Sequence, residues 1–450
     1  MSSTYEAPNH TPARGTFSAW GKLRRAASGV VDGFHFHPLL DHMTDVAACF
    51  IALAGCLAFR RAMQQAAGRD LNAADIERLA VLVFLHDIGK ANAGFQSRRW
   101  IAPERPPGRW PTQPYGHGPE GWALVSGAVS TAEQVLAGLP LDEMAGWGDE
   151  AAMQLWQASI SHHGRPVGEE PAKQSVLVWQ PVLNARGEFY DPGATVADMG
   201  QRLRQCYPLA FSPCRQALPE ASAFVHLFAG LVQLADWLGS DTRDGFFPYT
   251  EPGEDRTQTA PERAAFAVRA IGLDVSPWRR ALAHQTPTFA TAFRQPAPRP
   301  MQTAAANLSL GDLVILEAET GSGKTEAALW RFAQLFQEGT VDGLYFALPT
   351  RVIVTRDVAD RFHGFLASVM LEVAPNIFIM PRMTKAVRER TWAVIADWHS
   401  IEPRGSAVMV WRDLDQAGGI GLAHLGTPAR ELVEMDGMWL TRRSKLARVL

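Results

Sequence analysis

Cysteine is scarce in this chain. Its 450 residues hold four, Cys49, Cys56, Cys206 and Cys214, with no CxxC pair among them. That spacing excludes a thiolate zinc knuckle and offers no disulfide framework, which fits a protein of a reducing, cytoplasmic compartment. Cys49 and Cys56 are expected as core thiols on one face of a single helix. Long apolar runs are missing as well. VAACFIALAGCLAF (Val46 to Phe59) has 14 residues, short of the roughly 18 that a membrane span needs. No basic stretch followed by an apolar one opens the chain, so no membrane partner is expected. Neither sign of charge dominates, since 43 Lys and Arg against 46 Asp and Glu leave a net −3. A global basic field is thereby excluded, although a local groove for nucleic acid is not. Internal repeats and low-complexity tracts are absent too.

What remains is ordinary globular composition, 47% apolar and 20% charged, in a chain long enough for two or three domains. Nine of the 13 histidines lie between His10 and His226, and helical periodicity dominates that half. In NAADIERLAVLVFLHDIGK, Asn72 reads as an N-cap with Asp75 completing a capping box, and the helix is expected to end at Ile88 and Gly89. VHLFAGLVQLADWL (Val225 to Leu238) reads as a buried helix with one isolated acid, Asp236. A mostly helical domain over residues 15–250 follows. Residues 251–300 are rich in turn formers and proline, and read as a linker.

From residue 301 a βα pattern begins: LVILEA as strand, a glycine turn, KTEAALWRFAQLF as helix, GLYFAL as strand and a second helix after Thr350. Alternation of this kind predicts a parallel sheet with crossover helices. AETGSGKT (Ala318 to Thr325) sits between strand and helix, where a phosphate loop belongs. Gly321, Ser322 and Gly323 would let backbone amides wrap an ATP phosphate, Lys324 would reach the β- and γ-phosphates, and Thr325 would hold Mg²⁺. No strand ending in Asp-Glu follows; AVMVWRD (Ala407 to Asp413) comes nearest and lacks the Glu. Nucleotide binding is therefore expected without a translocation cycle.

The histidines carry the other chemistry. In LHDIGKANAGFQ (Leu85 to Gln96), His86 stands beside Asp87, with Lys90 three residues on. A carboxylate has two oxygens and can bridge two cations, while an imidazole nitrogen serves one. His42, His117, the pair His162 and His163, and Asp236 supply further candidate ligands, five histidines and two acids with no cysteine. Nitrogen and oxygen donors of this kind suit Mn, Fe, Co or Ni. A pair of such ions can activate water and stabilise a phosphodiester displacement. A lone histidine is more often a hydrogen-bonded core or surface residue, and His35, His37 and His226 are assigned there.

The ordered series HPLLDHMTDVA, LHDIGKANAGFQ, GHGPEG, SHHG and ADWLGSD resembles the HD phosphohydrolase superfamily. With PRPMQ, AETGSGKT and ALPTR following, the chain resembles the HD nuclease–helicase effectors of type I CRISPR–Cas systems over most of residues 35–360. That resemblance implies an all-α HD domain followed by a partial α/β RecA-like domain of superfamily 2 over residues 301–450, lacking the Asp-Glu strand and the second RecA-like domain. It implies one metal on His42, His86, Asp87 and Asp236, and another on His117, His162 and His163 with Asp87 shared. Asp87 and Lys90 become the catalytic pair, with Lys90 near the scissile phosphate. Asp45 and Ser240 are expected to orient imidazoles, and Phe95 and Gln96 fit the wording only. Gln302 resembles the adenine-reading glutamine, and Thr350 and Arg351 the residues that touch single-strand phosphates. The implied partners are single-stranded DNA and a guide RNA–protein surveillance complex. Two other readings stay open: a nucleotide-directed HD phosphohydrolase, against which the phosphate loop argues, and a non-catalytic remnant that only docks on the surveillance complex or on DNA.

Overall fold

The computed structural model describes residues 18–25, 31–99, 115–168, 176–183, 189–213, 216–243, 245–251, 253–284, 288–293, 295–310, 313–319, 321–347, 377–380, 407–413 and 420–426. The chain divides into two compact units, residues 1–51 with 70–264 and residues 52–69 with 265–450.

The first unit opens with an antiparallel hairpin, β1 (Trp20–Arg25) and β2 (Val31–Pro38), in which Lys22 lies opposite His37. Helix α1 (Leu39–Gly55) follows directly. The chain then breaks: Cys56 is extended and starts α2 (Leu57–Ala67), which belongs to the second unit. Cys49 and Cys56 are both buried, but Cys49 lies on α1 and Cys56 in the break before α2, not on one face of a single helix. Helix α3 (Ala73–Phe84) begins as expected, with Asn72 Oδ1 accepting from Asp75 N at 2.9 Å and Asp75 Oδ2 from Asn72 N at 3.2 Å. Leu79 to Phe84 are all fully buried, which places α3 at the centre of the core. The helix ends at Phe84, four residues before the expected stop, because Leu85–Ala91 tighten into a 3₁₀ turn with Asp87 at φ −107°, ψ 19°. That departure turns Asp87 out of the helical ladder.

Helix α4 (Gly118–Val125) packs on the 3₁₀ turn that follows α3, α5 (Asp149–Ile160) on α3 itself, α6 (Pro192–Cys206) on the same turn, and α7 (Ser222–Gly239) on α5. The Ser159 hydroxyl donates to the Leu82 carbonyl at 2.7 Å and fastens α5 to α3. Among the described residues α7 alone is long and apolar enough to cross a membrane as one helix, yet 56% of its apolar window is buried inside the protein. Phe228 packs edge-on to Phe50 of α1, so α7 serves as a core helix.

Residues 251–300 are not an open linker. They carry α8 (Arg256–Ala270), α9 (Ser276–His284) and a short helix, Phe289–Phe293. Arg256 is buried between Asp45 at 3.3 Å and Glu254 at 3.0 Å. A buried ion pair of this kind draws the segment to Ala264 into the first unit, which thus extends beyond residue 250.

In the second unit α10 (Pro300–Ala305), which was not expected, precedes β3 (Leu313–Ala318), α11 (Lys324–Gln337) and β4 (Gly343–Ala347), the latter three close to their expected positions. Strands β5 (Ile377–Met380), β6 (Ala407–Asp413) and β7 (Ile420–Gly426) complete a sheet of order β3-β6-β7-β4-β5. The sheet is mixed rather than wholly parallel. β6 is parallel to β3 and β5 to β4, but β7 runs antiparallel to both β6 and β4. Only residues 414–419 join β6 to β7, too few for a crossover helix. Thr350, Arg351 and the helix expected after them lie outside the described residues.

Candidate metal centre

The site is built where the 3₁₀ turn after α3 meets α1, α4, α5 and α7. His42 comes from the first turns of α1, His86 and Asp87 from the 3₁₀ turn, and Asp236 from the last turn of α7. His117 caps α4, and His162 and His163 follow the C-terminus of α5. Gly89 lets α4 come this close: a Cβ there would stand 1.8 Å from the His117 carbonyl oxygen. The Asn92 amide donates to the Gly89 and Gly116 carbonyls at 2.7 and 2.9 Å, locking the two loops together. Gln233 of α7 donates to the His162 carbonyl at 2.9 Å.

All seven expected ligands converge. Asp87 Oδ2 stands 3.1 Å from both His42 Nε2 and His86 Nε2, whose ring nitrogens lie 3.7 and 3.8 Å from Asp236 Oδ1. Asp87 Oδ1 stands 3.4 Å from His117 Nε2 and 3.8 Å from His162 Nε2. His163 Nε2 is 2.9 Å from His117 Nε2. Donor atoms of His42, His86 and Asp236 fall within 4.8 Å of one another, as do those of His117, His162 and His163. One carboxylate therefore faces two ligand sets, an oxygen to each.

The second partners of the imidazoles set which nitrogen faces inward. His86 Nδ1 lies 2.8 Å from the Val83 carbonyl and His162 Nδ1 3.0 Å from the Ser159 carbonyl, so both rings donate there and turn a bare Nε2 to the cluster. His86 Nε2 and Asp87 Oδ1 are buried without a hydrogen bond among the described residues. Buried acceptors left bare cost free energy, and a cation between them removes that cost. The residues present fit a pair of divalent ions.

Electrostatics favour the ligating protonation states of His42, Asp87, His117, His162 and Asp236, but not of His86. Burial lowers the pKa of His117 to about 4 and of His162 to about 3, and holds His42 well below its ordinary value with Lys22 adding to the effect. For Asp87 burial pushes upward but is outweighed by Lys90 and His86, leaving a carboxylate well below the usual range. Asp236 is lowered in the same way, against burial, by His162, His86 and His42. His86 moves up: burial opposes, and Asp87 overcomes it.

Other expected residues fall near but not always in role. Lys90 Nζ lies 2.5 Å from Asp87 Oδ2. Ser240 donates to Asp236 Oδ1 at 3.1 Å, steadying a carboxylate rather than an imidazole. Asp45 touches none of the ligand histidines; it holds His37 Nε2 at 2.9 Å, because the Arg256 ion pair draws its carboxylate toward β2. Phe95 stacks on Trp20, ring centroids 4.5 Å apart, and Gln96 bonds the Trp20 backbone and the Lys90 carbonyl. Two contributors were not among the expected residues: Asn92, which a local Asx signature before Phe95 could have flagged, and Lys22 of β1.

In the second unit the phosphate loop has its expected backbone, with Gly321 at φ 78° and Gly323 at φ 94°. Lys324 Nζ donates to the Ala318 and Glu319 carbonyls, each at 2.7 Å. Gln302 is fully buried and donates to the Gly323 carbonyl at 3.1 Å, so it touches the loop itself. Arg299, unforeseen, donates to the Ser322 carbonyl at 2.8 Å. Thr325 begins α11 beside Lys324.

The family model described as "Cas3, HD domain" matches residues 20–244, and a second, "CRISPR-associated protein (Cas_Cas2CT1978)", matches residues 350–440. A CRISPR-associated endonuclease/helicase Cas3 of Thermus thermophilus is 30% identical over 379 residues, 74% of this chain and 35% of that protein. Its counterpart in Escherichia coli is 26% identical over 424 residues, 85% of this chain and 45% of that protein. Among solved structures, that of T. fusca Cas3-AMPPNP superimposes with a TM-score of 0.51 at 20% identity, over 82% of this chain and 39% of the other. The chain thus spans less than half the length of these relatives.

Proposed function

This chain belongs to the Cas3 HD-domain family, and from that premise we propose that it is a metal-dependent nuclease cutting single-stranded DNA in type I CRISPR interference. It would act in the cytoplasm, brought to displaced DNA by a guide RNA–protein surveillance complex. The observation that supports this best is the placement of the two Asp87 oxygens, each before its own set of imidazoles.

His42, His86, Asp87 and Asp236 would hold one divalent ion, and His117, His162, His163 and Asp87 the other. Mn, Fe, Co and Ni suit these donors. Such a pair supplies a water activated for attack and stabilises the oxygens of a phosphodiester displacement. The protein's own groups prepare the ground. The Val83 and Ser159 carbonyls fix the His86 and His162 rings. Lys90 keeps Asp87 ionised and places an ammonium where phosphate charge gathers.

ATP and Mg²⁺ at Gln302, Gly321, Ser322, Gly323, Lys324 and Thr325, and strand phosphates at Thr350 and Arg351, complete the reading. β6, which lies beside β3, ends at Asp413 without a following Glu. Cleavage of DNA that is already single-stranded is therefore expected without ATP.

The test loads the chain with Mn²⁺, Co²⁺ or Ni²⁺, verifies the metal, and compares single-stranded DNA, duplex DNA and mononucleotides. Cutting of the single strand by the wild type and not by Asp87→Ala is expected. Metal bound with no DNA cut, or only mononucleotides hydrolysed, overturns the reading.

A further inference from the structure

One half-buried cation, Lys22, stands beside the metal centre with no contact to substrate assigned to it so far. Lys22 lies on β1 opposite His37, and residues paired across an antiparallel ladder project to the same face. His37 projects inward: it is buried, bonded to Asp45, and its ring centroid is 6.2 Å from that of His42. Lys22 therefore projects toward the same side. The strand also runs hard against α1, since a Cβ on Gly21 would stand 3.0 Å from His42 Cβ. Gln96 joins Trp20, two residues before Lys22, to the Lys90 carbonyl. Lys22 forms no ion pair among the described residues.

From this placement we infer that Lys22 is a second anion-binding lysine of the centre, contacting a DNA phosphate at or next to the scissile bond. The inference rests on the nuclease reading and gives it a substrate contact. Its charge environment agrees: burial lowers the Lys22 pKa, Asp236 opposes this most, and Lys90 adds to the lowering. Two divalent ions would outweigh the charges of Asp87 and Asp236. The charge of Lys90, which already acts on Lys22, then goes less opposed, and a phosphate relieves that repulsion.

The experiment uses the full chain as wild type, Lys22→Met, Lys22→Gln and Lys22→Arg. Metal content is measured first. Binding of a single-stranded oligonucleotide is then followed in Ca²⁺ across a range of salt, and cleavage in Mn²⁺. Metal content should stay at the wild-type level in all four. Both uncharged variants should bind about tenfold more weakly, as for one charge-assisted hydrogen bond, with the slope of log affinity against log salt smaller by about 0.7. KM should rise by the same factor, and Lys22→Arg should recover most of the loss. Unchanged affinity and slope overturn the inference, and so does loss of metal in the uncharged variants, which makes the role structural. If the wild type binds but does not cut, the nuclease reading fails while the salt slope still decides Lys22. A wild type that binds no oligonucleotide overturns both.

Discussion

Gly89 has no room for a side chain because the carbonyl oxygen of His117 fills the place, 1.8 Å from where a Cβ would stand. The contact presses α4 against the 3₁₀ turn and delivers His117 to Asp87. Gly89→Ala should destabilise the protein by about 1–3 kcal/mol, the usual cost of overpacking. It should also displace the set formed by His117, His162 and His163 more than the other. Thermal unfolding and metal stoichiometry check both effects.

Ligand substitutions should divide by set. His42→Ala and His117→Ala each remove a ligand from one side, so each should cost one ion per chain and about a hundredfold or more in cleavage rate. Metal analysis beside single-turnover cleavage measures the split. Equal loss of both ions from either variant contradicts the two-set arrangement.

Gln96 is buried and bonds the Trp20 backbone amide, the Trp20 carbonyl and the Lys90 carbonyl. Gln96→Ala leaves those groups without partners, at about 1–3 kcal/mol for a buried unsatisfied group. The variant should unfold at lower denaturant, keep its metal and cut more slowly because Lys90 and β1 have lost their tie.

Burial lowers the His37 pKa to about 3, with Arg256 adding to the effect. An unfolded histidine titrates near 6.5, so below that pH the unfolded chain takes a proton that the folded chain refuses. Stability should fall as pH drops from about 6.5 toward 3, by about 1.4 kcal/mol per pH unit from this residue. Denaturant unfolding of wild type and His37→Asn at pH 7 and pH 5 tests it. The gap between them should narrow by about 2 kcal/mol at the lower pH.

Lys324 closes on the Ala318 and Glu319 carbonyls of its own loop. Lys324→Ala should abolish nucleotide binding, followed with a fluorescent ATP analogue, and leave the metal-dependent cutting of single strands unchanged.

The convergence of His42, His86, Asp87, His117, His162, His163 and Asp236 was legible in the sequence because these residue types stand in motifs with recognisable neighbours. The Asn72 and Asp75 capping box was legible because it is local. Roles set by distant partners were not. Asp45 looked like a partner for a ligand imidazole until Arg256, two hundred residues away in sequence, drew its carboxylate to His37. Lys22 carries no motif, and its position depends on the register of β1 with β2. Proline-rich spacing in residues 251–300 suggested a linker, yet α8 tolerates Pro261 within its first two turns. The antiparallel β7 followed from a short connection that alternation of strand and helix alone did not reveal.

Soaking crystals in Mn²⁺ and locating the ions by anomalous scattering tests the two-ion bridge most directly. Two peaks per chain are expected, one between His42, His86 and Asp236 and one among His117, His162 and His163, with an Asp87 oxygen on each. A single peak, or a pair that Asp87→Ala retains, contradicts it.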